Sequence, residues 1–283
     1  MMNFKITIFT PCYNGEKTIQ RVFESVESQT YSNFEWIIVN DGSKDNSDVI
    51  IHNLIKKSPV KDKIKYISQD NLGKHRTWNK VVDLSTGEIF VPADADDSFI
   101  PTTLAYFNRR MNELIDTYGS IEKFSGVNVC VYDPRTGKPY GTLYPKDGLI
   151  SDNVELTYRY KIHGEHWGCV RTDLLKRYKF PEVKGHFYTE SRLWFLLAKK
   201  GYKVSCYNDC LRAYYYEDSS LTHNSFYKWD FNNNIMMLRF HLWVLFQLGG
   251  RIFMYSPISY FNQWKQVISS IVKCVFAIVL SKK

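Results

Sequence analysis

The first hundred residues alternate short apolar runs with amphipathic helical patterns, and this alternation limits the fold more than any single motif. The predicted strands are Phe4–Phe9, Phe34–Val39, Lys63–Ser68 and Ile89–Ala93. The predicted helices between them are Thr18–Ser28, a segment from Asn46 or Ser47 to about Lys57, and His75–Leu84. Strands separated by helices predict an α/β fold with a parallel sheet.

The second half of the chain has weaker patterns. The predicted helices there are a segment from Thr102 to about Tyr118, Asp173–Arg177 and Ser191–Lys199. The predicted strands are Val127–Tyr132 and Lys203–Cys206. Two apolar stretches, Ile235–Leu248 and Tyr260–Leu280, follow near the end. The first of these is expected to stop at Gly249 and Gly250.

Polar clusters stand where two of the predicted strands end. Asp41–Ser47 follows the second strand, and Asp94–Asp97 follows the fourth. Open α/β sheets bind ligands at the carboxyl ends of their strands. We therefore expect these two clusters to lie at one ligand-binding edge.

The acidic cluster contains three carboxylates within four residues: Asp94, Asp96 and Asp97. Such groups repel one another unless a cation lies among them, and hard oxygen ligands favour Mg²⁺ or Mn²⁺. A turn that caps the helix after Thr102 is the alternative interpretation. At the other cluster, Asp41 is able to accept a hydrogen bond from a nucleotide base, although an ordinary strand-to-helix turn has the same composition.

Taken together, the motifs of about residues 4–110 resemble the opening of inverting family 2 glycosyltransferases. That resemblance implies the GT-A fold, a Rossmann-like and mainly parallel sheet flanked by helices. The matching segments, in order, are Thr10–Gly15, Ser25–Tyr31, Phe34–Ser47, Asn71–Asn79, Thr86–Glu88 and Asp94–Asp97.

The resemblance implies roles at the nucleotide end of the site. Pro11, Tyr13 and Asp41 would line the pocket of the nucleotide base. Lys74 would lie near the diphosphate or the ribose of the donor, although an exposed lysine at a helix start is the alternative.

The same resemblance assigns the acidic cluster to the signature motif of the family. Of Asp94 and Asp96, one would lie near the ribose and one on the metal, with Asp96 as the metal ligand and Asp94 or Asp97 as possible further ligands. The implied cofactor is Mn²⁺ or Mg²⁺.

The acceptor side resembles the family more loosely. Gly164–Gly168 is similar to an acceptor-side loop, which would place Glu165, His166 and Trp167 near the acceptor. A metal pair formed by His163 and His166 lacks an evident third ligand.

Residues Tyr188–Trp194 occupy the place of the Glu-Asp motif, where the family has its catalytic base. Ser191 replaces the aspartate, so Glu190 is the candidate base because serine has no useful basicity at neutral pH. The alternative is that Glu190 orients Arg192. Further on, Leu211–Tyr216 resembles the terminal strand of the family, where Arg212 or a tyrosine would face the donor phosphates.

The implied activity is inverting transfer of a hexosyl or N-acetylhexosaminyl group from a nucleotide-diphosphate sugar, with UDP favoured, to an acceptor hydroxyl. Lipid-linked saccharides and growing surface polysaccharides, such as capsule or O-antigen, are the acceptors that the resemblance suggests. A non-catalytic nucleotide-sugar-binding subunit stays open because of Ser191. A sugar nucleotidyltransferase fits less well, because Pro11–Gly15 replaces the glycine-rich basic loop that would bind a triphosphate.

Positive charge is concentrated near the end of the chain. The whole chain carries a net charge of +8, and residues 219–283 contain seven Lys or Arg and only one acid, Asp230. With two apolar helical patterns, this composition favours peripheral contact with an anionic membrane; packing on the catalytic domain or on a second subunit is the alternative. The uneven charge argues against nucleic-acid binding.

The expected organisation is a GT-A catalytic domain over 1–218 and a helical extension over 219–283. Its nucleotide-binding half would cover about 1–110 and its acceptor half about 111–218. A strand begins almost at once and no secretory signal precedes it, so we expect a cytoplasmic protein. The basic, apolar tail, together with the family resemblance, would place it at the inner face of the cytoplasmic membrane.

Overall fold

The computed structural model describes residues 2–182, 189–215 and 231–280. Its strands are β1 (Ile6–Cys12), β2 (Phe34–Asp41), β3 (Ile64–Gln69), β4 (Ile89–Pro92), β5 (Ser98–Phe99), β6 (Phe124–Tyr132), β7 (Leu149–Ser151), β8 (His166–Arg171) and β9 (Lys203–Ala213). Its α-helices are α1 (Ile19–Glu27), α2 (Ser47–Lys57), α3 (Lys74–Leu84), α4 (Thr103–Tyr118), α5 (Asn153–Tyr158), α6 (Thr172–Arg177), α7 (Ser191–Lys199), α8 (Phe231–Tyr255) and α9 (Pro257–Leu280). A short 3₁₀-helix covers Lys61–Lys63.

The described strands form one mixed sheet in the order β3-β2-β1-β4-β8-β6-β9-β5, with β7 paired to β9. The first four strands of that order are parallel to one another. Strand β8 runs antiparallel to both β4 and β6, and β6 pairs with β9 in parallel. The parallel half confirms the strand–helix alternation predicted from the sequence.

Helices cover both faces of the parallel half because side chains alternate along each strand. On β2, Trp36 and Ile38 belong to a core that also contains side chains of α1, α2 and α4. The intervening Ile37 and Val39 belong to a second core, with side chains of α3, α6 and α7. Because both faces of the parallel half are buried, its accessible polar groups lie at the ends of the strands.

Two strand predictions in the second half were wrong in their bounds. Strand β6 begins at Phe124 and not at the predicted Val127. Strand β9 continues past the predicted end at Cys206 to Ala213, which includes the first half of the segment Leu211–Tyr216, because register shifts around Cys130 let the β6–β9 pairing continue. The segment predicted as an acceptor loop becomes strand β8 from His166 onward. Tyr188 and Tyr216 lie outside the described residues.

The chain ends in two long helices, α8 and α9, which pack together as a helical pair that we call the C-terminal hairpin (231–280). Contrary to the predicted stop, α8 continues through Gly249 and Gly250. A Cβ at Gly249 would lie 3.2 Å from the ring of Tyr260, so the glycine permits close approach of α9. None of the described helices combines the length and apolarity needed to span a bilayer.

Candidate functional site

The loops that follow β1, β2, β3 and β4 meet at one edge of the sheet. The backbone NH groups of Asn14 and Gly15 donate to the side-chain oxygens of Ser43 (3.0 Å) and Ser47 (2.8 Å), which joins the first two loops. On its other side the first loop lies against the acidic turn, since a Cβ at Gly15 would be 3.7 Å from that of Ala95. Both polar clusters therefore lie against the first loop, at the same edge of the sheet.

Asp41 is the centre of the contact between the second and third loops. Its Oδ1 accepts hydrogen bonds from Gln69 Nε2 at 2.8 Å and from the backbone NH of Leu72 at 2.9 Å. Its Oδ2 accepts one from the NH of Gly73 at 2.8 Å. A carboxylate oxygen accepts about two hydrogen bonds, so Oδ2 retains acceptor capacity. The carboxylate is buried and positions the loop that leads into α3.

Gly42 explains why these two loops pack so closely. Its φ is +76°, and a Cβ at this position would lie only 2.6 Å from the backbone nitrogen of Asn71. Any side chain here would separate the loops. Nearby, Pro11 pairs with Val39 at the end of β1, while the ring of Tyr13 stays half exposed in the first loop.

The three acidic side chains of the turn after β4 have different surroundings. Asp94 lies 3.1 Å from Lys74 Nζ and 3.9 Å from Arg212 Nη1. Asp97 is buried, with Oδ2 at 3.3 Å from Arg212 Nη1. Asp96 is exposed, and within the described part of the chain its carboxylate has no side-chain hydrogen-bond or ion-pair partner. Its own carbonyl accepts a hydrogen bond from Arg21 at 2.7 Å.

These surroundings shift the pKa values in different directions. Burial opposes ionisation of Asp94, but the nearby Lys74 and Arg212 outweigh it and lower the pKa of that carboxyl. Desolvation raises the pKa of Asp97 to about 7, although Arg212 acts against it. For Asp96, desolvation by the surrounding protein and repulsion from Asp94 raise the pKa. A bound cation would relieve this repulsion.

Lys74 joins the acidic turn to the candidate base. Its Nζ lies 3.0 Å from Glu190 Oε1 as well as 3.1 Å from Asp94 Oδ1. Burial opposes the charge on Lys74, but the two carboxylates together raise its pKa, so the ammonium stays protonated. Beneath it His75 packs on Phe180, and burial lowers the pKa of this imidazole to about 4.

Arg212 is buried among the carboxylates of the site. The side chain is 2% exposed and lies under the acidic turn. Its Nη2 donates to Glu165 Oε1 at 2.7 Å, while Nη1 faces Asp97 and Asp94. The sequence signal was an arginine within the segment Leu211–Tyr216, and the resemblance implied that this arginine or a tyrosine would face the donor phosphates.

The predicted acceptor-side residues have three different environments. Glu165 is half exposed and pairs with Arg212. His166 Nε2 is 2.9 Å from the carbonyl of Thr142. Trp167 is buried, and its indole NH donates to the carbonyl of Pro92 at 2.6 Å. That ring fastens β8 to the end of β4, just before the acidic turn, and has no surface from which to contact an acceptor.

The acidic turn fits a cation only if other ligands complete its coordination. No group of three or more His, Cys, Asp and Glu side chains among the described residues is arranged to hold a metal ion by itself. Asp94 and Asp97 already face Lys74 and Arg212, which leaves Asp96 as the available hard oxygen donor. Phosphate oxygens of a bound nucleotide are the ligands that Mg²⁺ or Mn²⁺ would add at such a position.

A cavity of about 560 Å³ lies at the opposite end of β1 and β4. Three of its five charged lining residues are already paired: Arg171 with Asp173 at 2.6 Å, and Lys176 with the carbonyl of Ser85 at 2.9 Å. Most of its surface is apolar, so it offers no polar groups comparable to those at the carboxyl ends of the strands.

Sequence comparison supports the resemblance seen in the motifs. The sequence model described as glycosyl transferase family 2 matches residues 7–146. An uncharacterized glycosyltransferase of Nostoc sp. is 40% identical over 142 residues, which is 50% of this chain and 42% of that protein. The GalNAc(5)-diNAcBac-PP-undecaprenol beta-1,3-glucosyltransferase of Campylobacter jejuni is 26% identical over 209 residues, or 69% of this chain and 60% of that enzyme.

Structural comparison gives the fold. S. aureus TarS 1-349, solved in complex with UDP-GlcNAc, has a TM-score of 0.62 at 19% identity and covers 96% of this chain and 81% of its own. The mannosyltransferase PcManGT of Pyrobaculum calidifontis, solved with GDP-Man and Mn²⁺, has a TM-score of 0.56 at 15% identity over 98% of this chain and 74% of its own. The chain has the GT-A fold, and its residues 7–146 form a domain of glycosyl transferase family 2.

Proposed function

We propose that this protein transfers a sugar from a nucleotide-diphosphate sugar to an acceptor hydroxyl. The observation that carries the proposal is the position of Lys74, between Asp94 of the acidic turn and Glu190. The Lys74 ammonium would serve as a cation for the donor phosphates. It lies at the same edge of the sheet as the acidic turn and the candidate base. A hexosyl or N-acetylhexosaminyl group on UDP is the proposed donor, and the UDP-GlcNAc complex of TarS supports this choice.

The proposed nucleotide pocket lies between the first and third loops. The half-exposed ring of Tyr13 offers a flat surface to the base, next to Pro11, and Asp41 Oδ2 retains acceptor capacity for a base NH. A Mn²⁺ or Mg²⁺ ion would be held by Asp96 and by the donor diphosphate, and would neutralise charge on the leaving nucleoside diphosphate.

The proposed reaction is a single displacement with inversion at the anomeric carbon. Glu190 accepts the proton of the acceptor hydroxyl while that oxygen forms its bond to the anomeric carbon. The bond from the anomeric carbon to the phosphate oxygen breaks on the opposite face, and the nucleoside diphosphate takes the electron pair. Lys74 lies 3.0 Å from Glu190 and would stabilise negative charge on the departing phosphate.

The proposed acceptor is a lipid-linked or growing surface polysaccharide at the inner face of the cytoplasmic membrane. The undecaprenol-linked substrate in the name of the Campylobacter jejuni relative supports this acceptor class. The positive charge of the C-terminal region supports a membrane location, and capsule or O-antigen assembly is the proposed setting.

The proposed organisation remains a catalytic domain over 1–218, divided near residue 110, with an extension over 219–283. The proposed boundary between residues 218 and 219 lies outside the described residues. The C-terminal hairpin supports the extension as a distinct helical unit.

Turnover of a panel of nucleotide sugars, with and without Mn²⁺, tests this function. We expect Glu190→Gln to bind the donor, measured by thermal shift, while both transfer and donor hydrolysis fall by ~10²–10⁴-fold. Ser191→Ala is the matched control, because it alters the neighbouring side chain without removing a base, and should retain activity.

Three outcomes would contradict the proposal in different ways. Full activity of Glu190→Gln would remove this residue from the reaction. Donor binding without any turnover by the wild type, with lipid-linked acceptors present, would favour a non-catalytic binding subunit. Release of pyrophosphate from a nucleoside triphosphate and a sugar phosphate would favour a nucleotidyltransferase.

A further inference from the structure

Exposed apolar side chains are concentrated on the C-terminal hairpin. Of the eighteen large hydrophobic residues that are exposed in the described part of the chain, twelve lie between Phe246 and Ile278. The most exposed are Phe246 (76%), Met254 (76%) and Ile258 (75%). Proteins that stay in solution rarely expose so many such residues together, so this surface marks an interaction site.

Helix α9 is apolar on two sides. Its inner side, spaced by three or four residues, is buried and consists of Val267, Ser270, Cys274 and Ala277. Its outer side has larger and exposed residues, which we call the outer stripe: Ile258, Phe261, Trp264, Ile268, Ile271, Val272, Val275 and Phe276. A surface helix of a soluble protein has the opposite arrangement, with polar residues facing outward. The outer stripe therefore faces a partner that is apolar.

The charges of the hairpin are all of one sign. Residues 231–280 contain no Asp or Glu, and their four basic residues are Arg239, Arg251, Lys265 and Lys273. By helical spacing, the exposed Lys265 lies at one edge of the outer stripe, and the exposed Lys273 lies just beyond that same edge. Long lysine side chains in this position can place their ammonium groups at an anionic surface while the helix contacts apolar material.

We propose that the outer stripe of α9 lies in the interface of a bilayer with anionic lipids, parallel to the membrane plane. A spanning arrangement is disfavoured because none of the described helices is long and apolar enough to cross a membrane. A second copy of this chain fits less well, because a two-fold interface would bring positive charges together without any acidic residue of the hairpin between them. This inference rests on the proposed membrane location and names the surface responsible for it.

The hairpin is fastened to the catalytic part near the candidate base. The guanidinium of Arg192, two residues after Glu190, lies 3.5 Å from the ring centroid of Trp243 on α8. Phe195 of α7 stacks on Phe240 of α8, and Arg251 of α8 forms an ion pair with Asp152. Gln263 of α9 donates to the hydroxyl of Tyr158 at 2.9 Å.

These contacts fix the direction from which a lipid-linked acceptor reaches the candidate base. Because α7 begins directly after Glu190 and packs on α8, a membrane-bound hairpin holds the candidate base in a constant orientation to the lipid surface. An acceptor carried by a lipid would then meet the site from one direction only.

Vesicle co-sedimentation of the full chain tests the outer stripe without a nucleotide sugar or an acceptor. The test variant is Ile268→Asp/Val275→Asp, in which both altered side chains are exposed, so folding is preserved. The matched control is Val49→Asp/Leu143→Asp, which introduces the same charge at exposed apolar positions elsewhere. On vesicles of phosphatidylcholine and phosphatidylglycerol we expect apparent affinity to fall at least ~tenfold in the test variant and to stay near wild type in the control.

A second variant separates charge from apolar contact. Lys265→Gln/Lys273→Gln should weaken binding to the phosphatidylglycerol vesicles by ~tenfold or more, and should leave the weaker binding to pure phosphatidylcholine vesicles unchanged. Circular dichroism checks that every variant is folded.

Two results would overturn the inference. One is equal vesicle binding by wild type and the Ile268→Asp/Val275→Asp variant. The other is a wild-type dimer in analytical ultracentrifugation that this variant converts to a monomer with vesicle binding intact, which would assign the stripe to a second copy. Vesicle binding and sugar transfer are measured separately, so the two proposals can fail independently. A negative vesicle result does not affect the proposed transfer reaction, and loss of transfer in Glu190→Gln does not affect the proposed membrane contact.

Discussion

Lys74 Nζ lies 3.0 Å from Glu190 Oε1, and this ion pair joins the start of α3 to the residue that precedes α7. The same ammonium lies 3.1 Å from Asp94 Oδ1. Two carboxylates from separate halves of the chain therefore share the single Lys74 ammonium. A donor diphosphate at this edge would compete with both for the same ammonium.

We predict that Lys74→Met weakens donor binding. Loss of the ammonium removes a charged partner for the phosphates and leaves Asp94 and Glu190 repelling them. A hydrogen bond to a charged group contributes about 1.5–3 kcal/mol, so the donor KM should rise by ~10- to 100-fold. Lys74→Arg should recover part of the loss, because it restores the charge.

The control for this measurement is Lys56→Met, which removes the same charge from an exposed position on α2. Its donor KM should match that of the wild type. An unchanged KM in Lys74→Met would show that the ammonium does not contact the donor.

We predict that Arg212→Met destabilises the fold as well as the site. The buried guanidinium is the partner of Asp97 at 3.3 Å and of Glu165 at 2.7 Å. Removing one member of a buried ion pair leaves an uncompensated charge and costs about 3–5 kcal/mol. Urea unfolding at neutral pH measures this loss, and Arg212→Met/Asp97→Asn should recover part of it.

Arg135→Met provides the exposed comparison. Arg135 pairs with Asp133 at 2.8 Å, but its own side chain is 69% exposed. Water screens an exposed ion pair, so its contribution to stability is small and this variant should unfold close to the wild type. Equal losses of unfolding free energy in Arg135→Met and Arg212→Met would contradict a special role for burial at Arg212.

We predict that Glu35 makes the fold sensitive to acid. Burial alone would raise the pKa of this carboxyl, but hydrogen bonds from Thr7 and Thr86 lower it from 4.5 to about 2. A group whose pKa is lower in the folded state stabilises the protein at pH values above the pKa that the group has in the unfolded chain. That contribution, at most about 3 kcal/mol, is lost as the pH falls from 4.5 towards 2.

Urea unfolding at a series of pH values tests this prediction. Glu35→Gln should be less stable than wild type at neutral pH, and the difference should shrink below pH 4.5. Glu122→Gln alters an exposed carboxylate and should follow the wild type throughout. A constant difference between Glu35→Gln and wild type across this range would contradict the prediction.

Much of the fold of about residues 1–110 was predictable because its signals are local. Apolar runs of four to eight residues followed by helical periodicity place Asp41 and the Asp94–Asp97 turn at strand ends. In parallel strands those ends share one edge, so a common edge for the two clusters follows from the pattern alone. The later part of the chain lacks such regularity: β7 has three residues, and β8 is short and antiparallel to its neighbours.

The sequence by itself determined the parallel sheet, the family resemblance and the carboxylates at the strand ends, since periodicity and short motifs depend on residues that are near one another in the chain. Only the tertiary structure decided that Lys74 would meet Glu190, that Arg212 would lie buried under Asp97, and that the ring of Trp167 would support the edge from below. These contacts depend on the order β4-β8-β6-β9 and on how α7 packs, and long-range packing of this kind leaves no periodic trace in the sequence.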